Sequence, residues 1–554
     1  GEVVAVCDTG LDNGGGIMSA DFSGRILKSY ALGRTNRWDD PNGHGTHVSG
    51  SILGSGALSG SNPSANQYQS SFAGIAPKAQ LVMQSVLGPN GDLRGIPADL
   101  NDLFLPPWND GARVHRNSWG TSLGGEYDID AQNLDIFTWA HPDMTILAAA
   151  GNQGSDNDSN GIVNPYSIDS PGSAKNVICV GATESYRLSG GYQQTYGYSW
   201  SYRFPVDPIN SDKMSNNIDG VAAFSGRGPC LDGRIKPDIC APGTNIISAR
   251  SHYTGGSGTL WGVYDTNYLY SGGTSMATPL AAGACTLIRE YYRTIRSHLP
   301  SAALVKATLI NGAGEIYPGQ YGTGAFKEIP SLRPNNVEGW GRVDIQNSIM
   351  PSAPREVRFE DYTAGLTTGS YRDYYYSIGG TGSPVRVTLV WTDYPAALSA
   401  SKDLVNDLNL TVTLPNGMVM AGNGTTDNTN NVEGVDVLSP VTGTYKVTVS
   451  APNVPYGPQP FALVVSAEFT PPPPTAQIVV PEYGTSVFGS IGVRGTAGGY
   501  GFEQYVLEVG PGASPTTWTQ IGTTGYSPVT DGLLGTWDTT GLSEGTYTMR
   551  LIVT

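Results

Sequence analysis

The stretch Ser271-Gly272-Gly273-Thr274-Ser275-Met276-Ala277-Thr278-Pro279 delivers one serine to the mouth of an apolar helix. Leu280, Ala284, Leu287, Ile288 and Tyr291 follow at helical spacing, so one face of that helix packs on a core and Ser275 falls in its first turn. Pro279 is expected within that turn too, where amides have no intrahelical partner. The free amides and the positive end of the helix dipole suit a developing oxyanion, and Gly272 and Gly273 clear the approach. A serine hydroxyl is a poor nucleophile by itself. It needs a base and a group that orients the base.

Both are found upstream. Val3-Val4-Ala5-Val6-Cys7-Asp8-Thr9-Gly10 reads as a buried strand ending in an acid and a turn glycine. Asn42-Gly43-His44-Gly45-Thr46-His47-Val48-Ser49-Gly50 sets a glycine-framed histidine at the start of a small-residue helix. With Asn117-Ser118-Trp119-Gly120 and Ala149-Ala150-Gly151-Asn152, these segments occur in the order seen in the subtilisin-like serine proteases, which the chain resembles. Gly74-Ile75-Ala76-Pro77, the run from Ala223 to Pro229, the run from Asp232 to Asp238 and Gly339-Trp340-Gly341 extend the likeness. Within that family the chain is similar to the oxidatively stable alkaline serine proteases, which append a β-barrel domain.

The resemblance implies a secreted endopeptidase that forms an acyl-enzyme on Ser275, with His44 as general base and acid and Asp8 as its orienter. It implies that the Asn152 amide joins the Ser275 amide in an oxyanion hole, while Ser118, Trp119, Gly120, Ala150 and Gly151 line the substrate. It also places Asp169, just ahead of Pro171-Gly172, at the floor of the pocket for the side chain preceding the cleaved bond. There a carboxylate would favour Lys or Arg. The other reading of Asp169 is a surface turn, with a pocket for large apolar residues. The rival for the whole chain is a catalytically silent scaffold whose β-domains bind or adhere.

The bulk composition agrees. The 554 residues carry 31 basic and 47 acidic side chains, a net charge of −16, which disfavours nucleic acid and anionic membrane as partners and leaves protein or peptide substrates. No apolar run is long enough to span a bilayer. The five cysteines read as reduced core thiols, with Cys230 and Cys240 the one pair worth testing.

Along the chain, residues 1–352 alternate apolar strands with small-residue helices, which predicts an α/β domain whose mostly parallel sheet is flanked by helices. Strands are expected at Val3–Cys7, Gln80–Ser85, Val114–Asn117, Thr145–Ala149 and Val177–Gly181. Helices are expected after His44, over Ile96–Trp108 and Ala131–Ala140, after Ser275 and over Ser301–Gly312. Ligands of such sheets bind beyond the strands' carboxyl ends, where Asp8, Ser118 and Asn152 fall. The Tyr-, Ser- and Gly-rich segment 185–220 reads either as a surface loop or as a substrate contact.

Residues 353–470 switch to two-residue alternation, the mark of a β-sandwich or jelly roll, with a hairpin turn at Pro415-Asn416-Gly417. Structural calcium is expected there on hard oxygens from Asp393, Asn406, Asp407 and Glu433, with Asp403 and Asp436 nearby. His47, three residues after His44, lacks a third ligand and reads as structural rather than zinc-binding. The run Pro471–Pro474 marks a boundary before a small immunoglobulin-like β domain over 475–554. That domain could contact a cell surface or polymer, with Trp518 and Trp537 as candidate platforms.

Overall fold

The computed structural model describes all residues except Ile17, Ser61, 254–257, 471–473 and Tyr500, so most of the proline run lies outside the described residues. The chain divides into two compact units, Gly1–Glu468 and Phe469–Thr554.

The first unit is organised by Val3–Asp8 (β1), Ile26–Ala31 (β2), Gln80–Ser85 (β3), Val114–Asn117 (β4), Thr121–Ser122 (β5), Thr145–Ala149 (β6), Asp169–Ser170 (β7), Ile178–Thr183 (β8) and Ile239–Pro242 (β9). A seven-stranded sheet runs in the order β2-β3-β1-β4-β6-β8-β9. Every pair in it is parallel. Its central strands are buried almost without interruption because helices cover both faces. The helices are His44–Leu53 (α1), Asn101–Asn109 (α2), Ile129–Ala140 (α3), Tyr196–Trp200 (α4), Thr274–Thr294 (α5), Ala302–Gly312 (α6) and Ile345–Ile349 (α7). Val4, Val6, Ile52, Leu81, Met276 and Ile288 meet in the core beneath the strand ends.

The departures from expectation have local causes. Helix α2 starts at Asn101 and not at Ile96, because Ile96 precedes Pro97 and is pushed out of helical geometry, while Asp99 accepts from the Asn101 amide at 2.9 Å. Helix α3 starts two residues early because Asp128 caps it through the Ala131 amide. Pro279 lies inside α5, beyond the first turn. Strand β2 lies at the sheet edge with mixed, half-exposed side chains, and its pattern is correspondingly faint.

Two antiparallel sheets of four strands complete this unit. One pairs Glu356–Leu366, Gln459–Ala467, Val385–Val390 and Val432–Val437. The other pairs Tyr371–Ile378, Gly443–Asn453, Asp407–Thr413 and Val419–Ala421. The regions expected as 1–352 and 353–470 thus pack as one unit. Asn311 on α6 donates to Thr388 Oγ1 at 3.0 Å and to the Val464 carbonyl at 3.2 Å, and Val390, Val432, Ala462 and Val464 continue the core of the parallel sheet.

The second unit holds two three-stranded sheets. Its core includes Trp537, which is buried and so cannot serve as an exposed platform. Trp518 lies under Arg550, 4.0 Å from ring centre to guanidinium carbon. All five cysteines are buried free thiols, Cys230 and Cys240 included.

Candidate active site

Asp8 closes β1, and α1 begins at His44 after Gly43, whose φ of 89° is left-handed backbone. The result is a 2.7 Å contact between His44 Nδ1 and Asp8 Oδ1. Asp8 Oδ1 also accepts from the Thr9 amide at 2.7 Å, and Oδ2 accepts from Arg116 at 2.6 Å. His44 and Arg116 hold the Asp8 carboxyl far below the usual carboxylate range despite its burial. His47 is fully buried with Nε2 3.0 Å from the Ile246 carbonyl, and burial pushes it down to about 3. It is a neutral packing residue.

Ser275 is the second residue of α5, whose N-cap Gly273 has φ 135°. Its hydroxyl donates a long 3.4 Å bond to the Ser118 carbonyl. Pro279 has no N–H to offer the carbonyl four residues earlier, which is that of Ser275. That oxygen instead accepts from Arg116 Nη2 at 2.8 Å and from Ser118 Oγ at 3.2 Å. Sequence reading missed Arg116, because a lone arginine in a short strand carries no motif.

Asn152 follows β6, and its Oδ1 accepts from the Thr274 amide at 2.9 Å and from Thr274 Oγ1 at 3.1 Å. The side chain is thereby anchored through its oxygen at the mouth of α5 and presents its Nδ2 donor. Arg203, in the segment left open between surface loop and substrate contact, donates to the Asn152 carbonyl at 2.7 Å and to the Gly154 carbonyl. That segment therefore buttresses the turn carrying Asn152.

Ser118–Gly120 and Ala150–Asn152 leave neighbouring strands β4 and β6 side by side. Trp119 turns its ring toward the core, so this stretch offers mainly backbone. Asp169 lies against both stretches. Its amide donates to the Ala150 carbonyl at 3.0 Å, and a Cβ on Gly120 would come 3.3 Å from its own Cβ. The carboxyl is buried, Oδ1 has no hydrogen-bond partner, and burial pushes the group up to about 6.

The oxygens expected to bind calcium part into two sets, and the second, Asp407 and Glu433, is joined by Asn409, which was not among them. Asp393 is spent on Lys175 Nζ at 2.6 Å and on the Val405 and Asn406 amides. Asn406 bonds Tyr456 and Gln459, while Asp403 and Asp436 pair with Arg234 and Arg333. Asp407 Oδ1, Asn409 Oδ1 and Glu433 Oε1 are buried without hydrogen-bond partners. Asp407 and Asn409 alternate onto one face of their strand, and Glu433 Oε2 accepts from the adjoining Leu410 amide at 2.7 Å. Burial pushes Asp407 up to about 6 and Glu433 well above the usual glutamate range. These three unpartnered oxygens have the hard-donor chemistry that calcium takes, three of the roughly six to eight ligands it needs. Among the described residues no group of three or more His, Cys, Asp or Glu forms a metal site, and the third oxygen here comes from an asparagine.

A parallel α/β sheet whose carboxyl edge gathers an aspartate, a hydrogen-bonded histidine and a serine at a helix mouth defines the subtilisin-like class. Residues 1–341 match the subtilase family, Peptidase_S8, and the chain belongs to that family of serine endopeptidases. The serine protease/ABC transporter B family protein tagD of Dictyostelium discoideum is 29% identical, over 84% of this chain and 32% of that protein. Serine protease AprX of Bacillus subtilis (strain 168) is 32% identical, over 63% of this chain and 66% of that protein. The chain thus spans about a third of the length of the first relative. Among solved structures, the prenylagaramide maturation protease PagA aligns with a TM-score of 0.40 and 21% identity, over 63% of this chain and 92% of that one. No helix among the described residues is long and apolar enough to cross a membrane.

Proposed function

We propose that the chain is a serine endopeptidase that cleaves peptide bonds through an acyl-enzyme on Ser275. The observation carrying this is the 2.7 Å bond from His44 Nδ1 to Asp8, which fixes the imidazole so that Nε2 is the free base. His44 Nε2 takes the Ser275 proton as Oγ attacks the carbonyl carbon, then returns it to the leaving amine. The negative oxygen of the tetrahedral intermediate is met by Asn152 Nδ2 and by the amide at the mouth of α5. One such donor is worth about 100- to 1000-fold in kcat. Water repeats the cycle on the ester. The long Ser275–Ser118 bond is a resting contact that a rotation about the serine side chain exchanges for His44.

Backbone of Ser118, Trp119 and Gly120 pairs with an extended substrate, opposite Ala150 and Gly151. Asp169 at the base of that slot selects a basic side chain. A structural calcium held by Asp407, Asn409 and Glu433 would neutralise otherwise orphaned oxygens near the antiparallel sheets. The net charge of −16 fits an extracellular setting. Exposed Tyr483, Phe488 and Tyr526 support contact of the last unit with a surface or polymer.

A fluorophosphonate probe tests the central claim. The parent should be labelled at Ser275 and should cleave casein, while Ser275→Ala should fold, take no label and lose turnover by at least about 1000-fold. Turnover within about tenfold of the parent would end the assignment.

A further inference from the structure

Arg116 lies in the middle of the parallel sheet on β4, paired with Val6 of β1 and Leu147 of β6, and has no exposed surface. Strands buried on both faces are normally apolar, and a guanidinium there must be matched by a partner or destabilise the fold. Burial pulls the Arg116 guanidinium below its ordinary range. The site accepts that cost for two contacts. Nη1 meets Asp8 Oδ2 at 2.6 Å, and Nη2 meets the Ser275 carbonyl at 2.8 Å.

The second contact meets an oxygen that Pro279 leaves without its helical donor. An ordinary residue there would donate a helical bond to the Ser275 carbonyl, whereas Pro279 leaves both lone pairs of that oxygen to Arg116 and Ser118 Oγ. A planar fork with fixed donor directions therefore ties the acid at the end of β1 to the first turn of the helix that carries the serine.

We infer that Arg116 is a positioning residue for the reaction: its guanidinium sets the Asp8 carboxylate relative to Ser275, so that the imidazole held by Asp8 comes within reach of the serine hydroxyl. Arg116 touches neither substrate nor reacting atoms and acts through Asp8 and the Ser275 backbone. The inference rests on the catalytic reading of Asp8, His44 and Ser275. A buried ion pair serving only the fold would stabilise the sheet equally well, and the two roles separate in kinetics.

The experiment measures kcat, KM and the rate of Ser275 acylation by a fluorophosphonate in the parent, Arg116→Met and Arg116→Lys, each also in an Asp8→Asn background, with melting curves for all. Misplacement of about an ångström costs about 100-fold. Arg116→Met should lower kcat by roughly that amount with KM within about twofold, since substrate contacts are intact. Arg116→Lys keeps the charge but reaches one partner, and should recover part of the loss.

In Asp8→Asn the same substitutions should cost at least about tenfold less, because residues acting as a unit are not additive. Equal losses with and without the Asp8 carboxylate, parental kcat in a folded Arg116→Met, or failure of both substituted chains to fold would assign Arg116 to the fold alone and overturn the inference. Failure of the underlying triad would show separately, as retained turnover in Ser275→Ala.

Discussion

Lys175 Nζ lies 2.6 Å from Asp393 Oδ2, and neither side chain has exposed surface. The same ammonium donates to the Tyr394 carbonyl and, at 2.8 Å, to the Asp403 carbonyl, so one lysine of the parallel-sheet region ties three points of the loop after Val385–Val390. Removing one member leaves the other charged and buried, which typically costs about 3–5 kcal/mol. Lys175→Met should therefore lower the denaturation midpoint sharply. Lys175→Met combined with Asp393→Asn should recover a large part of it. If the double substitution is no better than the single one, uncompensated charge is not the cause.

That pair also shows what the sequence conceals. Asp8, His44, Asn152 and Ser275 were legible because each sits in a short segment whose glycines, alanines and strand or helix boundary announce a turn. The parallel sheet was legible at β1, β3, β4, β6 and β8, short segments that are buried almost throughout, and faint at edge strand β2. Arg116, Arg203 and Lys175 were not legible, since each acts across 49 or more residues on a partner that no local pattern names. Asp393 was misplaced among the cation ligands for the same reason. An aspartate near other acids looks alike whether its counter-charge is a metal or a distant lysine.

Calcium should raise the thermal midpoint, and a chelator should lower it. A ligand bound only by the folded chain stabilises by about 2.7 kcal/mol at a hundred times its dissociation constant. Glu433→Gln should abolish the calcium response while melting no lower than the calcium-free parent, because it replaces a carboxyl whose charged form burial disfavours with a neutral side chain of the same shape. A melting curve indifferent to both EDTA and calcium would remove calcium from the account.

Glu338 predicts a stability change with pH. Its carboxyl is fully buried, and burial together with the hydrogen-bonded Glu315 carboxyl pushes it up to about 8. An unfolded glutamate releases its proton near 4.3, so between there and about 8 the folded chain holds a proton that the unfolded chain has lost. Stability from this group is complete below the lower value and falls as pH rises through the interval. Glu338→Gln keeps a neutral side chain of the same shape. It should flatten that decline and melt above the parent at pH 8.5, in unfolding curves taken from about pH 5 upward. An unchanged slope would show that the proton is not held at Glu338.

The proposed preference for a basic side chain rests on Asp169. A Cβ added to Gly151 would lie 2.3 Å from the Asp169 carboxyl carbon, so the two occupy one wall without room for a larger residue. Gly120 closes on the same aspartate from the other strand. Asp169 Oδ1 is buried without a hydrogen-bond partner, and on the proposed reading it accepts from the substrate side chain that precedes the cleaved bond. Lys or Arg preceding the cleaved bond would supply that donor, and a charge-assisted hydrogen bond contributes about 1.5–3 kcal/mol. The expected kcat/KM advantage of Arg over Phe peptides is about 10- to 100-fold at pH 8, and Asp169→Ser should erase it.

The pH profile adds an independent check. Burial raises the Asp169 carboxyl to about 6, so it is neutral below that value and charged above it. The Arg/Phe ratio of the parent should climb from pH 5 to pH 8, while that of Asp169→Ser should stay flat. A ratio that ignores both the substitution and the pH would take Asp169 out of the pocket and leave the slot to large apolar side chains.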